Sequence, residues 1–113
     1  MEKIETLLEK YIEAAIKHGQ ASEEGDYKTA NKQYSVLDKI YNTLKKNDNL
    51  NELLKLIDHS NDHVKLWASS HTLQIEPNIA KKILLKLREG PPSVVRLDAE
   101  MILEEWEKGN LKF

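Results

Sequence analysis

The feature that most narrows what this chain can fold into is an internal repeat. Leu53-Leu54-Lys55-Leu56 recurs as Leu84-Leu85-Lys86-Leu87, an offset of 31 residues. At the same offset Val64 meets Val95, Lys65 meets Arg96, Leu66 meets Leu97 and Ala68 meets Ala99. Each copy is a helix ending Leu-Leu-Lys-Leu, a turn, and a second helix opening Val-(Lys/Arg)-Leu-x-Ala. A helix pair this short cannot bury its apolar face alone, so the copies are expected to stack and share a core.

The rest of the chain is read around that unit. Ile4, Leu7, Leu8, Tyr11, Ile12, Ala15 and Ile16 recur at helical spacing and predict a first helix over about Lys3 to Ser22. Gly25-Asp26 breaks it, with Asp26 as cap of a second helix from about Tyr27 to Lys46. The two form a helical hairpin over 3–47. Tyr27, Tyr34 and Tyr41 recur every seven residues and are expected along the seam of that hairpin.

After Asn47-Asp48-Asn49 comes a short third helix, about Leu50 to Ile57. A turn over 58–62 follows, with Asp62 as expected cap of a fourth helix from about His63 to Gln74. Pro77 opens a fifth helix that reaches about Glu89. Gly90-Pro91-Pro92 stops it, and Ser93 caps a sixth that runs to about Lys108. Repeat 1 thus covers 50–75, repeat 2 covers 77–108, and 109–113 is a tail. The expected fold is all-α: one domain over 1–113, a six-helix right-handed solenoid made of a hairpin and two short repeats.

The fourth helix carries two apolar stripes, Val64, Trp67, Ala68, His71 and Ile75 on one side and Leu66 and Leu73 on the other. A helix that is apolar on both sides is sandwiched between neighbours. The sixth repeats this, with Val95, Ala99, Ile102 and Trp106 on one face and Val94, Leu97 and Met101 on another. Being last, it needs a cover for that second face. The tail Leu111-Lys112-Phe113 is the preferred cover, and a partner is the alternative.

Composition removes several classes of function. The chain has 113 residues and no cysteine, which excludes disulfides and thiolate chemistry. Its charged fraction is 32% with a net charge of −2, and the charges are interspersed rather than gathered into a basic stripe. Lys45-Lys46 and Lys81-Lys82 are short pairs on solvated helix faces. No run reaches the length of a membrane span, and the charged opening Met1-Glu2-Lys3-Ile4-Glu5 does not look like a signal peptide. A cytoplasmic protein is expected, without nucleic acid or membrane as partner.

Candidate chemistry is sparse. Asp58, His59, Asp62, His63 and His71 gather near one turn, but the spacing of a zinc-binding His-Glu-x-x-His helix is missing, and turn and cap roles explain the acids better. Glu100, Glu104 and Glu107 have the spacing of an exposed helix face rather than of a catalytic pair. Trp67 and Trp106 fall on core stripes. Phosphate-loop and nucleophile-elbow motifs are absent. No catalytic residue, metal or cofactor is expected.

The repeated unit resembles HEAT and armadillo-type helical repeats over about residues 50–108. The features that carry the likeness are Asp58 or Asp62, Val64, Lys65 and Ala68, then Val95, Arg96 and Ala99. The unit is shorter than a usual HEAT repeat, Lys65 stands where arginine is typical, and Gly90-Pro91-Pro92 replaces the second acidic turn. Over its whole length the chain also resembles a family of small bacterial HEAT-like domains of unknown function, on three segments: 25–32 (Gly-Asp-Tyr-Lys-Thr-Ala-Asn-Lys), 62–68 (Asp-His-Val-Lys-Leu-Trp-Ala) and 99–111.

That resemblance implies a fold and no activity of its own. Small acidic proteins of this sort are associated with immunity against secreted bacterial toxins. The expected function is therefore a non-enzymatic protein-binding module, most specifically an immunity protein that occludes a toxin domain. Its expected partner surface is His59, His63, Lys65, Arg96, Glu100 and Glu104, the exposed side of the second helices and the turn between the third and fourth. The alternatives are a nucleic-acid-associated HEAT-like protein and a metal-dependent hydrolase at the histidine turn.

Overall fold

In the computed structural model, residues 3–111 are described. They form α1 (Ile4–Glu24), α2 (Tyr27–Lys46), a 3₁₀ helix (Leu50–Leu56), α3 (Asp62–Thr72), α4 (Pro77–Arg88) and α5 (Val94–Glu107). Among the described residues there is no strand, so the all-α expectation holds. None of these helices is long and apolar enough to cross a membrane.

Gly25, Asp26 and Ser93 do what their chemistry predicts. Gly25 closes α1 at φ 75°, a left-handed conformation that any Cβ would strain. Asp26 then caps α2, its carboxylate accepting the Thr29 N–H at 3.1 Å. Ser93 caps α5 by accepting the Arg96 N–H at 3.1 Å. Asp26→Ala and Gly25→Ala are each expected to cost about 1 kcal/mol, measured as a shift in the urea midpoint at constant slope.

Two cores result. Leu7, Tyr11, Leu37, Tyr41, Leu53 and Val64 belong to the first, built by α1, α2, the 3₁₀ helix and α3. Leu66, Leu73, Ala80, Leu84, Ala99 and Leu103 form the second, built by α3, α4 and α5. Helix α3 contributes to both, as its two apolar stripes require.

The repeat positions compare instructively. Leu53 and Leu84 are both fully buried, as are Ala68 and Ala99, and Val64 and Val95 are buried too. The match breaks at Leu66 and Leu97, which are 4% and 62% exposed. Leu66 belongs to the core shared with α4 and α5, whereas no described helix covers the equivalent face of α5.

Several local expectations are corrected. The third helix is 3₁₀ rather than α. Leu50, Leu53 and Leu56 are all buried, and at three residues per turn they eclipse into one row, which an α-helix would fan apart. The cap of α3 is Asn61 rather than Asp62, its side chain accepting from the N–H groups of His63 and Val64. Ile75 lies beyond the end of α3 and is exposed. Gly90 does not adopt the left-handed cap conformation, unlike Gly25 and Gly109.

The tyrosine stripe also departs from the seam. Tyr41 is buried in the first core, Tyr34 meets Trp67 of α3, and Tyr27, at the first position of α2, is exposed. Lys112 and Phe113 lie outside the described residues. Leu111 packs against the second core, and Leu97 and Met101 stay exposed.

Candidate functional site

Three surfaces contain the residues singled out above. The first is a groove of about 780 Å³ between the C-terminal half of α1, the turn before α3 and the turn between α4 and α5. His63 and Lys65 line it together with Glu23, Asp58, Asp62 and Lys86. Its polar groups largely answer one another. Lys65 pairs with Asp62 at 3.7 Å, and His63 Nε2 lies 3.1 Å from a Glu23 carboxylate oxygen.

His63 is also far less available than a surface ligand should be. Its side chain is 13% exposed, and its ring lies where a Cβ on Gly19 would stand. It acts as a buttress between α3 and α1. His59 is half-buried, its Nδ1 accepting the Asn61 N–H at 3.0 Å, so it shapes the turn. Arg96, Glu100 and Glu104 sit apart from these residues, exposed along the outer face of α5 beside Leu97 and Met101. Of the six expected surface residues, His63 and Lys65 thus line the groove, His59 shapes the turn beside it, and Arg96, Glu100 and Glu104 lie on an open helix face.

The second surface is a pocket of about 250 Å³ lined by His18, Tyr34, Trp67, Asp98, Met101 and Leu111, among others. Trp67 is its wall. The rings of His18 and Tyr34 meet it edge-on, at centroid distances of 5.1 and 5.8 Å and interplanar angles of 86° and 62°. His71 supports Trp67 from within the core, 5.5 Å away. That imidazole is itself fixed, stacked on Tyr41 at 4.5 Å and sharing a 2.7 Å hydrogen bond with the Tyr11 hydroxyl.

Burial sets the charges around this pocket. It pushes His71 down to about 3 and raises Tyr11 well above its ordinary value, so both stay neutral near pH 7. His18 is also lowered, first by burial and then by the neighbouring charge of His63. Asp98 is raised by burial, an effect partly opposed by His63. Among the described residues no hydrogen bond or ion pair reaches the Asp98 carboxylate, and no three His, Asp or Glu side chains converge in a way that could hold a metal ion.

Reasoning from sequence missed His18 and Asp98 and read Trp67 as core packing. A signal was available for the neighbouring His63 alone. Gly19 lies inside an otherwise uninterrupted helix, where glycine is costly unless a neighbour must come close. Asp98 occupies the repeat position of Trp67, so register alone places an acid where the first copy has an indole.

Comparison with known proteins agrees with the fold. No curated protein matches the chain significantly. A solved structure described as the crystal structure of the protein RPA1889 from Rhodopseudomonas palustris CGA009 is similar to it, with a TM-score of 0.90 at 23% sequence identity, covering 100% of this chain and 95% of that one. At that identity the likeness speaks for the fold alone. The family described as Domain of unknown function (DUF2019) matches residues 5–106, nearly the whole chain, and the protein belongs to this family.

Proposed function

We propose that this protein is a non-enzymatic protein-binding module, a short helical-repeat array of HEAT type, and that in its most specific form it is a cytoplasmic immunity protein occluding a toxin domain. The observation that carries this reading is the contrast between Leu66, 4% exposed, and its repeat equivalent Leu97, 62% exposed. Leu97 stands where a further helix pair would pack, and Met101, one turn on, is 61% exposed. An open apolar end of a repeat array is normally capped, by a polar terminal unit or by a partner.

The rim indicates the partner's chemistry. Glu100 and Glu104 are exposed along the same helix, so the complementary surface is basic with an apolar centre. Arg96, Glu100 and Glu104 remain in the proposed surface, now joined by Leu97 and Met101. His59, His63 and Lys65 leave it because their polar groups are engaged within the fold.

The test pairs this chain with the toxin domains encoded beside its gene. Co-expression is expected to restore growth to cells making one such domain, with the two proteins isolated as a complex. Leu97→Glu is expected to weaken that complex by roughly tenfold or more, because a carboxylate would be buried against apolar surface. Absence of both complex and protection for every adjacent product would overturn the reading.

A further inference from the structure

The Trp67 pocket differs from the large groove in one respect. In the groove, His63 and Lys65 meet carboxylates within the chain, those of Glu23 and Asp62. In the pocket the Asp98 carboxylate is half-buried and, among the described residues, no hydrogen bond or ion pair reaches it; only the charge of His63 acts on it, from beyond ion-pair distance. Burial costs an unpaired carboxylate solvation, and burial raises Asp98 accordingly. A group of opposite charge entering the pocket would offset that cost.

The walls suit such a group. The faces of Trp67 and Tyr34 carry π-electron density, which attracts cations within about 6 Å of a ring centroid. His18, held edge-on to Trp67 and lowered by burial and then by the charge of His63, adds a further aromatic side. Support from His71, Tyr41 and Tyr11 behind Trp67 holds the wall before any ligand arrives. At about 250 Å³ the space is below the roughly 300–1,000 Å³ typical of small-molecule and cofactor sites, and it accommodates one extended side chain.

We infer that the pocket formed by Trp67, Tyr34, His18 and Asp98 is a receptor for an organic cation, an alkylammonium or guanidinium group, delivered as a lysine or arginine side chain of a protein partner. The choice of source rests on the binding-module reading. The pocket adjoins the proposed surface through Met101, which both share, and the acidic rim there calls for a basic partner.

The experiment follows the Trp67 indole and backbone amide signals by NMR. The intact protein is titrated with n-butylammonium, with 3,3-dimethylbutan-1-ol as a neutral probe of similar bulk, and with a short peptide carrying one central lysine and its alanine counterpart. The expected result is saturable shifts at Trp67 and Asp98 with butylammonium and the lysine peptide, and none with the alcohol or the alanine peptide. Asp98→Asn, half-exposed and isosteric, is expected to weaken both by roughly tenfold while the dispersion of the spectrum stays native.

Equal shifts from the alcohol, or unchanged affinity in Asp98→Asn, would overturn the inference. Binding of free butylammonium more tightly than the lysine peptide would overturn the partner side chain as source. The two readings fail separately. Leu97→Glu tests the partner surface without lining the pocket, so a partner that still binds Asp98→Asn normally refutes the pocket alone. Cation binding with no partner complex refutes the module alone.

Discussion

Acidification is expected to destabilise this protein steeply between about pH 6.5 and pH 4, and the slope is expected to flatten in His71→Leu. The ring is 2% exposed, and burial lowers it from 6.5 to about 3. In the unfolded chain the same imidazole takes a proton as the pH falls below 6.5, while in the folded protein it stays neutral until about pH 3. The unfolded state therefore binds more protons across that window, and stability is present above pH 6.5 and lost on the way down. At 1.36 kcal/mol per unit the loss is about 3 kcal/mol by pH 4 and about 4–5 kcal/mol in full, a large share of a small domain's stability.

Two exposed carboxylates act in a lower window. Glu13 is lowered by its hydrogen bond and charge pairing with Lys17, and Asp26 by the Thr29 cap. Both are exposed, and their contributions are lost only as pH falls below the ordinary carboxylate range. Between pH 7 and pH 4.5 His18, also lowered by burial, adds to the slope and Asp98, raised by burial, opposes it, so urea unfolding at half-unit steps isolates His71 through the difference between wild type and His71→Leu. At neutral pH His71→Leu is expected to cost about 1–3 kcal/mol, because the buried Tyr11 hydroxyl loses its partner. Adding Tyr11→Phe is expected to recover part of that loss, since replacing both partners by apolar groups is far milder than orphaning one. A His71→Leu variant with the wild-type acid slope would show that the slope arises elsewhere.

That network also shows where sequence reasoning stops. Helical periodicity placed His71 on the same stripe as Val64 and Ala68, and Val64 and Ala68 are in the first core as that stripe requires. Periodicity carries no information about what meets the stripe from sixty residues away, so Tyr11 as its hydrogen-bond partner was not legible. The two-sided character of α3 and the caps at Asp26 and Ser93 were legible, because each depends on residues close in sequence. The 3₁₀ segment was misread because seven residues are too few for the apolar pattern to separate a period of 3 from 3.6. The Trp67 pocket draws on α1, α2, α3, α5 and Leu111, and only packing brings His18, Tyr34 and Asp98 to one place.

Gly19 supplies the second large effect, and its sign depends on the partner. In an isolated helix Gly→Ala stabilises by about 0.5–1 kcal/mol, because glycine loses more backbone freedom on folding. Here the new Cβ would overlap the His63 ring near its base, so moving only the tip of the side chain gives no relief. The whole imidazole must swing away from α1, breaking its contact with Glu23 and opening the seam between α1 and α3. Overpacking of this kind costs about 1–3 kcal/mol, which exceeds the helix gain. Gly19→Ala is therefore expected to destabilise the wild-type protein by about 1–2 kcal/mol. In a His63→Ala background the obstacle is gone and the helix preference remains, so the same substitution is expected to stabilise by about 0.5–1 kcal/mol. A complete double-mutant cycle by urea unfolding reads this coupling directly. Two singles that simply add would mean that the ring has room to move, and that α1 and α3 are held together by the surrounding apolar contacts of the first core without His63 as a wedge.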